Sequence, residues 1–166
     1  RAGHAMRMAH DAVMVGSGTA RADDPDLTVR DLGAPQQPVR VVLDSRLSHS
    51  PASRLGRSAQ QSPVWLVHGP DAPAAHKTAW AETGATLIEV AAQGTHLDAT
   101  ATLRALAAQG LTRVFCEGGG TLAAALIRAN LVDDLALFTA GALIGADGQP
   151  ALAALGLTAL ADAPRL

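Results

Sequence analysis

The chain has 166 residues, a formal net charge of −2, 48% hydrophobic residues and 2% aromatic residues with no tyrosine. The balance of 13 basic and 15 acidic residues argues against a nucleic-acid-coating surface, and so few aromatics remove the stacking platforms of single-strand binders. The one cysteine, Cys116, excludes an intramolecular disulfide framework and a Cys-rich zinc site. No run of about 18 apolar residues predicts a membrane span, and no signal segment opens the chain. What remains is one cytoplasmic α/β domain, long enough to bury roughly 68–70% of its unfolded surface without staples.

Taken in chain order, Arg1 to Ala9 carries Met6 and Ala9 at helical spacing and predicts a first helix. Asp11 to Gly16 follows as a short apolar run ending in glycine. Five more such runs come later: Val39–Asp44, Val64–His68, Ala85–Val90, Arg113–Glu117 and Leu135–Thr139. Each has the length and the Gly, Pro, Asp or Ser punctuation of a buried strand. Helices are predicted between them. One spans Ala72 to Thr83 after a Gly69-Pro70-Asp71 turn. Another spans Asp98 to Gln109, with an Asp start and a Gly110 stop. A third spans Thr121 to Ala129, with Leu122, Leu126 and Ile127 on one face. Residues 31–38 and 45–63, rich in Pro, Ser, Gln and Gly, are expected to be loops. Asp133-Asp134 is expected to be a solvated turn. Alternation of strands and helices with short connections predicts a mostly parallel central sheet with helices on both faces.

Two glycine turns carry candidate chemistry. Val15-Gly-Ser-Gly-Thr-Ala-Arg-Ala-Asp-Asp-Pro25 follows the first strand. It is not the G-x-G-x-x-G fingerprint, since Arg21 stands where the third glycine belongs. It serves equally as a turn into a short helix, capped by Thr19 and stopped by Pro25, or as a phosphate contact at a helix N-terminus. Glu117-Gly-Gly-Gly-Thr121 joins a strand to a helix. Three glycines in one turn cost backbone entropy and make sense where a ligand touches bare amides beside a helix dipole. Glu117, at a strand's C-terminal end, is expected to face the neutral part of such a ligand, because phosphate repels a carboxylate.

Arg7 and Arg30 suit bidentate phosphate binding. The six histidines show no H-E-x-x-H spacing, so no metal site is expected. No Gly-x-Ser-x-Gly elbow is present. Cys116 is expected to be an inert small hydrophobe in a strand.

Together these pieces resemble a known family. Arg7 through Arg30, with Val15-Gly-Ser-Gly-Thr19 and Ala22-Asp-Asp-Pro-Asp-Leu-Thr-Val-Arg30, resembles the signature of the riboflavin-biosynthesis reductases, the C-terminal half of the bifunctional pyrimidine deaminase/reductase. Pro38-Val-Arg-Val-Val-Leu-Asp-Ser45, Glu117-Gly-Gly-Gly-Thr-Leu-Ala-Ala-Ala-Leu126 and Leu137-Phe-Thr-Ala140 with Leu143-Ile-Gly145 match its later blocks in order. The resemblance implies a dihydrofolate-reductase-like fold. It also implies NADPH-dependent reduction of the ribosyl group of 5-amino-6-(5-phosphoribosylamino)uracil to a ribityl chain.

By the family's pattern, Thr19, Asp23, Ser45 and the run Gly119, Gly120, Thr121, Leu122, Ala123, Ala124 and Ala125 would contact the cofactor. Arg7, Leu27, Arg30 and Glu117 would contact the substrate, the arginines at its phosphate. Glu117 and Asp23 are the expected orienting or proton-handling groups. Ser45 and Arg46 are candidates for the cofactor's 2′-phosphate.

The chain is expected to be a reductase domain over 1–166 cut at both ends. The family's first strand would lie before Arg1, and part of its last strand pair beyond Leu166. The zinc deaminase half, with its H-x-E and P-C-x-x-C motifs, has no counterpart in the chain. A homodimer is expected, with the apolar Leu135–Phe138 strand pairing across a two-fold axis. Two other functions fit the same residues: a dihydrofolate-reductase-like oxidoreductase of another substrate, and a nucleotide-binding module without turnover.

Overall fold

The computed structural model describes residues 2–33 and 36–165. They run in the order α1 (Ala2–Met8), β1 (Ala12–Gly16), α2 (Ser17–Asp23), β2 (Val39–Leu43), α3 (Arg54–Arg57), β3 (Val64–His68), α4 (Ala74–Glu82), β4 (Thr86–Glu89), β5 (Ala92–Gln93), β6 (His96–Leu97), α5 (Ala99–Ala108), β7 (Val114–Gly118) and α6 (Gly120–Arg128). Short 3-10 turns follow at Gly145–Asp147 and Leu160–Asp162. The chain divides into two compact units, residues 1–118 and 119–166. No helix among the described residues is long and apolar enough to cross a membrane.

The first unit is built on a five-stranded sheet of order β4-β3-β2-β1-β7, with every neighbouring pair parallel. Alternation along the strands sends two sets of side chains to opposite faces. Val13, Val15, Val42, Val64 and Leu66 form one core with Ala20 of α2, Leu55 of α3 and Trp80 of α4, and Phe115 packs against it. Ala12, Met14, Val41 and Val67 point to the other face and are equally buried, as a parallel sheet covered on both sides requires. The successive steps β1→β2→β3→β4 all move one way across the sheet. The chain then returns through a two-residue β5–β6 hairpin and α5 to reach β7 on the far side of β1. The direction of winding therefore reverses between β1 and β7, and ligands of open parallel sheets bind outside the strand ends at such a reversal.

Local chemistry accounts for some of the helix ends. Asp98 caps α5 by accepting the Ala101 amide at 2.7 Å, and Gly110 beyond it has φ +90°, as a glycine stop predicts. α2 departs from expectation. Thr19 lies inside the helix, and the N-cap is Gly16, with no side-chain cap. The helix does end before Pro25, at Asp24 with φ +38°. The 45–63 segment is more than loop. Ser53 caps α3 through its Oγ, and Leu47 and Leu55 join the core. Arg1, where the first helix was expected to begin, lies outside the described residues.

The second unit carries a correction. Leu135–Thr139, expected to be a strand, has no regular structure. Leu135, Leu137 and Phe138 are 54%, 70% and 71% exposed. An apolar run adopts a ladder only beside a partner strand, and among the described residues this one has none. α6 does form as expected, with Ala124, Leu126 and Ile127 buried.

Candidate active site at the C-terminal ends of the first and last strands

The site begins with an irregularity in the sheet. Met14 of β1 pairs with Cys116, but the next residue, Val15, pairs with Gly118. Glu117 is therefore an extra residue, a β-bulge at the C-terminal end of β7. Bulges turn a side chain out of the sheet's alternation and are enriched beside active sites.

The freed carboxylate meets Arg7 of α1. Arg7 Nε donates to Glu117 Oε2 at 2.6 Å and its NH2 donates to Oε1 at 2.5 Å, a two-pronged pair across 110 positions of sequence. The third prong, NH1, donates to the Thr28 carbonyl at 2.8 Å. The Arg7 and Glu117 side chains are 14% and 27% exposed, so the pair is partly shielded and its bonds belong to the strong, charge-assisted class. α1 is held against β7 here, with His10 and Phe115 rings 5.4 Å apart.

The Thr28 carbonyl ties Arg7 to the segment that carries Leu27 and Arg30. Leu27 has φ +55° and Asp31 φ +62°. A leucine in this region is strained, and such residues gather at functional sites. The Leu27 side chain is buried in the core. Arg30 points outward, 62% exposed, with its NH1 3.9 Å from Asp26.

The residues expected at the cofactor within the first unit lie at the same edge. Thr19 packs over Gly118. A Cβ at Gly118 would meet Thr19 Cγ2 at 3.0 Å and Oγ1 at 3.1 Å. Asp23 is the exposed last residue of α2. Ser45 occupies the turn after β2, where its carbonyl accepts the Gly69 amide at 2.9 Å. That turn is organised by Asp44, buried to 2% exposure, whose carboxylate accepts from the His49 amide at 2.7 Å and from Ser48 Oγ at 3.1 Å. Arg21 of α2 donates to the same Ser48 hydroxyl at 2.7 Å. A chain Arg21–Ser48–Asp44 thus links the helix bearing Thr19 and Asp23 to the turn bearing Ser45. Beneath it, His49 stacks on Trp80 at 5.9 Å. Burial lowers the His49 pKa, against the opposing pull of Asp24 and Asp44. Burial likewise pushes the Cys116 thiol up. Among the described residues no ion pair or hydrogen bond joins Asp23 to Glu117, whose carboxylate is held by Arg7.

In the second unit, α6 starts at Gly120 behind Gly119, which has φ +89° and offers no side-chain cap. Residues 121–125 form its first turns. The three glycines have reasons within the chain itself. Gly118 faces Thr19, Gly119 needs its positive φ, and a Cβ on Gly120 would lie 2.9 Å from the Pro150 carbonyl oxygen. The glycines therefore have packing causes of their own, whether or not a ligand touches their amides. The uncapped helix start is what remains to fit an anion.

Sequence reasoning missed Asp44, whose role is to shape the Ser45 turn, and Arg40. Arg40 is 1% exposed within β2, with NH1 on Ser58 Oγ at 2.7 Å and NH2 on the Ser58 carbonyl at 3.1 Å. It sits inside Val39-Arg-Val-Val-Leu43, a run whose apolar neighbours were the only signal of its burial.

A parallel sheet with a winding reversal beside β1, and a bulged carboxylate at that reversal, make this an open α/β domain with a candidate site at the reversal, and the solved structures it matches give it the dihydrofolate-reductase-like fold. The chain belongs to the RibD C-terminal domain family, whose model matches residues 1–163. The riboflavin biosynthesis protein RibD of Escherichia coli strain K12 is 34% identical over 172 residues, covering 96% of this chain and 45% of that protein. The 2,5-diamino-6-ribosylamino-4(3H)-pyrimidinone 5′-phosphate reductase of Methanothermobacter thermautotrophicus is 32% identical over 167 residues, covering 98% of this chain and 74% of that one. Among solved structures, Acinetobacter baumannii RibD, form 1, matches with a TM-score of 0.76 and 25% identity, over 98% of this chain and 43% of that one. The chain spans a little under half the length of the bacterial RibD relatives it matches.

Proposed function

We propose that this chain reduces the ribosyl group of 5-amino-6-(5-phosphoribosylamino)uracil to a ribityl chain, with NADPH as the reductant. The observation that carries the reading is the bulged Glu117 gripped by Arg7. This pair joins two of the four expected substrate residues at one strand end, and Arg7 also holds the Thr28 carbonyl. The names of the relatives agree with it: riboflavin biosynthesis for one, reduction of a ribosylaminopyrimidine 5′-phosphate for the other.

The reaction adds a hydride to the sugar carbon bonded to the amine nitrogen. A proton goes to the ring oxygen as its bond to that carbon breaks. Bound NADPH supplies the hydride, and the chain's residues supply position and charge. Both Glu117 oxygens accept from Arg7, and each keeps a second lone pair for a donor on the substrate. Glu117 therefore orients the sugar or base, with Asp23 as the other candidate proton-handling group. Arg30, exposed and weakly paired, is free to take the phosphate. Thr19, Asp23 and Ser45 are the proposed NADPH contacts of the first unit; in the second, Gly119 to Ala125 are the proposed contacts, and the uncapped α6 start suits a diphosphate. Arg46 beside Ser45 would favour the 2′-phosphate, so kcat/KM should be higher with NADPH than with NADH.

The test is NADPH consumption by the full-length protein with either the phosphoribosylaminouracil or the diaminopyrimidinone phosphate. The expected product is two hydrogens heavier than the uracil substrate. Preference for the diaminopyrimidinone would move the substrate to the archaeal relative's kind. Consumption with neither would refute the reading.

Leu135, Leu137, Phe138, Leu143 and Ile144 are large apolar side chains left exposed within ten residues of one another. We propose that they are covered in a homodimer. Sedimentation should then give twice the chain mass, and a monomer at micromolar concentration would contradict it.

A further inference from the structure

The segment 28–30, which carries Arg30, has the side-chain alternation of a strand, but among the described residues no strand lies beside it. Val29 is 5% exposed and Leu27 3%, while Arg30 points to solvent. Four of its backbone polar groups are nonetheless paired, each by a side chain from elsewhere. Arg7 takes the Thr28 carbonyl. Gln37 Oε1 accepts the Val29 amide at 2.7 Å, and Gln37 Nε2 donates to the Val29 carbonyl at 3.1 Å. One carboxamide thus makes both bonds that a neighbouring strand residue would make. His4 Nδ1 accepts the Arg30 amide at 3.1 Å, which leaves the ring proton on Nε2.

Gln37 is itself well placed to hold a position. It precedes Pro38, which confines its backbone to extended conformations, and β2 begins at Val39, so its carboxamide is anchored to the sheet. The Arg30 guanidinium has little to fix it, its ion pair with Asp26 being 3.9 Å long. Its location is set through its backbone, and that backbone is set by Gln37 and His4.

We propose that Gln37 is a positioning residue for substrate binding: its carboxamide replaces a missing strand and holds Val29 so that Arg30 meets the substrate at a fixed place. This rests on the reductase reading above, in which Arg30 meets the phosphate.

The test is Gln37→Met in the full-length protein, which keeps the length and bulk of the side chain and removes both bonds. KM for the phosphorylated substrate should rise about fivefold to tenfold, while kcat and the NADPH KM stay within about twofold, the pattern of lost binding contacts rather than lost chemistry. Exchange of the Val29 amide with solvent should become about tenfold faster as its shield is removed. Unchanged substrate KM with unchanged Val29 exchange would overturn the proposal. So would equal losses in substrate KM, NADPH KM and thermal midpoint, which a merely structural residue would give. If the wild-type protein reduces neither pyrimidine, the functional reading fails, and the Val29 exchange rate still decides whether Gln37 holds the segment.

Discussion

The two ends of the β1–β7 strand pair hold their charges in different ways. At the N-terminal end, the carboxylate of Asp11, just before β1, accepts from the Thr112 amide at 2.9 Å, the Thr112 hydroxyl at 3.0 Å and the Arg113 amide at 2.9 Å. Those bonds lower its pKa. Near the same end, Arg40 of β2 spends its guanidinium on Ser58 and on the carbonyls of Asp26, Ser58 and Ser62. At the C-terminal end, Glu117 is held chiefly by another side chain, Arg7. A charge bound to backbone cannot change partners without unfolding something. An ion pair between two side chains can lend lone pairs or donors to a ligand at small cost, because a new charge-assisted bond replaces an old one. The first arrangement keeps the sheet together, and the second leaves chemistry available.

The largest effect should come from Arg7→Lys, which keeps a cation beside Glu117 but loses the planar fork and the Thr28 bond. We expect kcat/KM for the phosphorylated substrate to fall about 100-fold, about 2.7 kcal/mol, with little change in thermal midpoint. Steady-state kinetics beside a melting curve checks it, and equal loss of stability would move Arg7 into the structural class. Arg30→Ala should weaken the phosphorylated substrate about tenfold, close to 1.4 kcal/mol, and spare both NADPH and a dephosphorylated analogue. Equal losses for the two analogues would show that the phosphate is held elsewhere. Gly118→Ala forces Thr19 to yield by a few tenths of an ångström, and the expected rise in NADPH KM is about threefold to tenfold.

Gly18→Ala, inside α2 with open space around the new methyl group, should stabilise the fold by about 0.5–1 kcal/mol, read as a raised thermal midpoint. The smallest effect belongs to Asp11→Asn. The folded-state pKa of Asp11 is depressed below 3.8. The stability it contributes is therefore fully present above that value and is lost as pH falls through the folded pKa. The wild type should exceed the variant in stability at neutral pH, and the two should converge in strong acid. A gap that persists there would contradict the assigned cause.

The regular elements were legible because their signals are local. Apolar runs bounded by Gly, Asp and Pro gave β1 to β4 and β7 within two residues at each end, and Asp98 and Gly110 marked α5 at both ends. Where the signal needed a distant partner, it failed. Leu135–Phe138 has the composition of a strand but no partner strand among the described residues. α3 is one turn long inside a Ser- and Pro-rich stretch, and only the Ser53 cap announces it. Arg7 and Glu117 both stand out in the sequence as substrate residues, but their pairing joins positions 110 apart and rests on a bulge that no spacing in the sequence encodes. The glycine turn shows the converse case. Its composition was plain, while its causes, Thr19, a positive φ and the Pro150 carbonyl, lay in the packing.

The most direct test of the contrast between the two strand ends is kcat/KM for the phosphorylated substrate, measured side by side in Arg7→Lys and Asp11→Asn at neutral pH. Arg7→Lys should lose about two orders of magnitude, and Asp11→Asn should remain within about twofold of the wild type. Comparable losses in both variants, or a larger loss in Asp11→Asn, would contradict the assignment of chemistry to one end of the sheet and structure to the other.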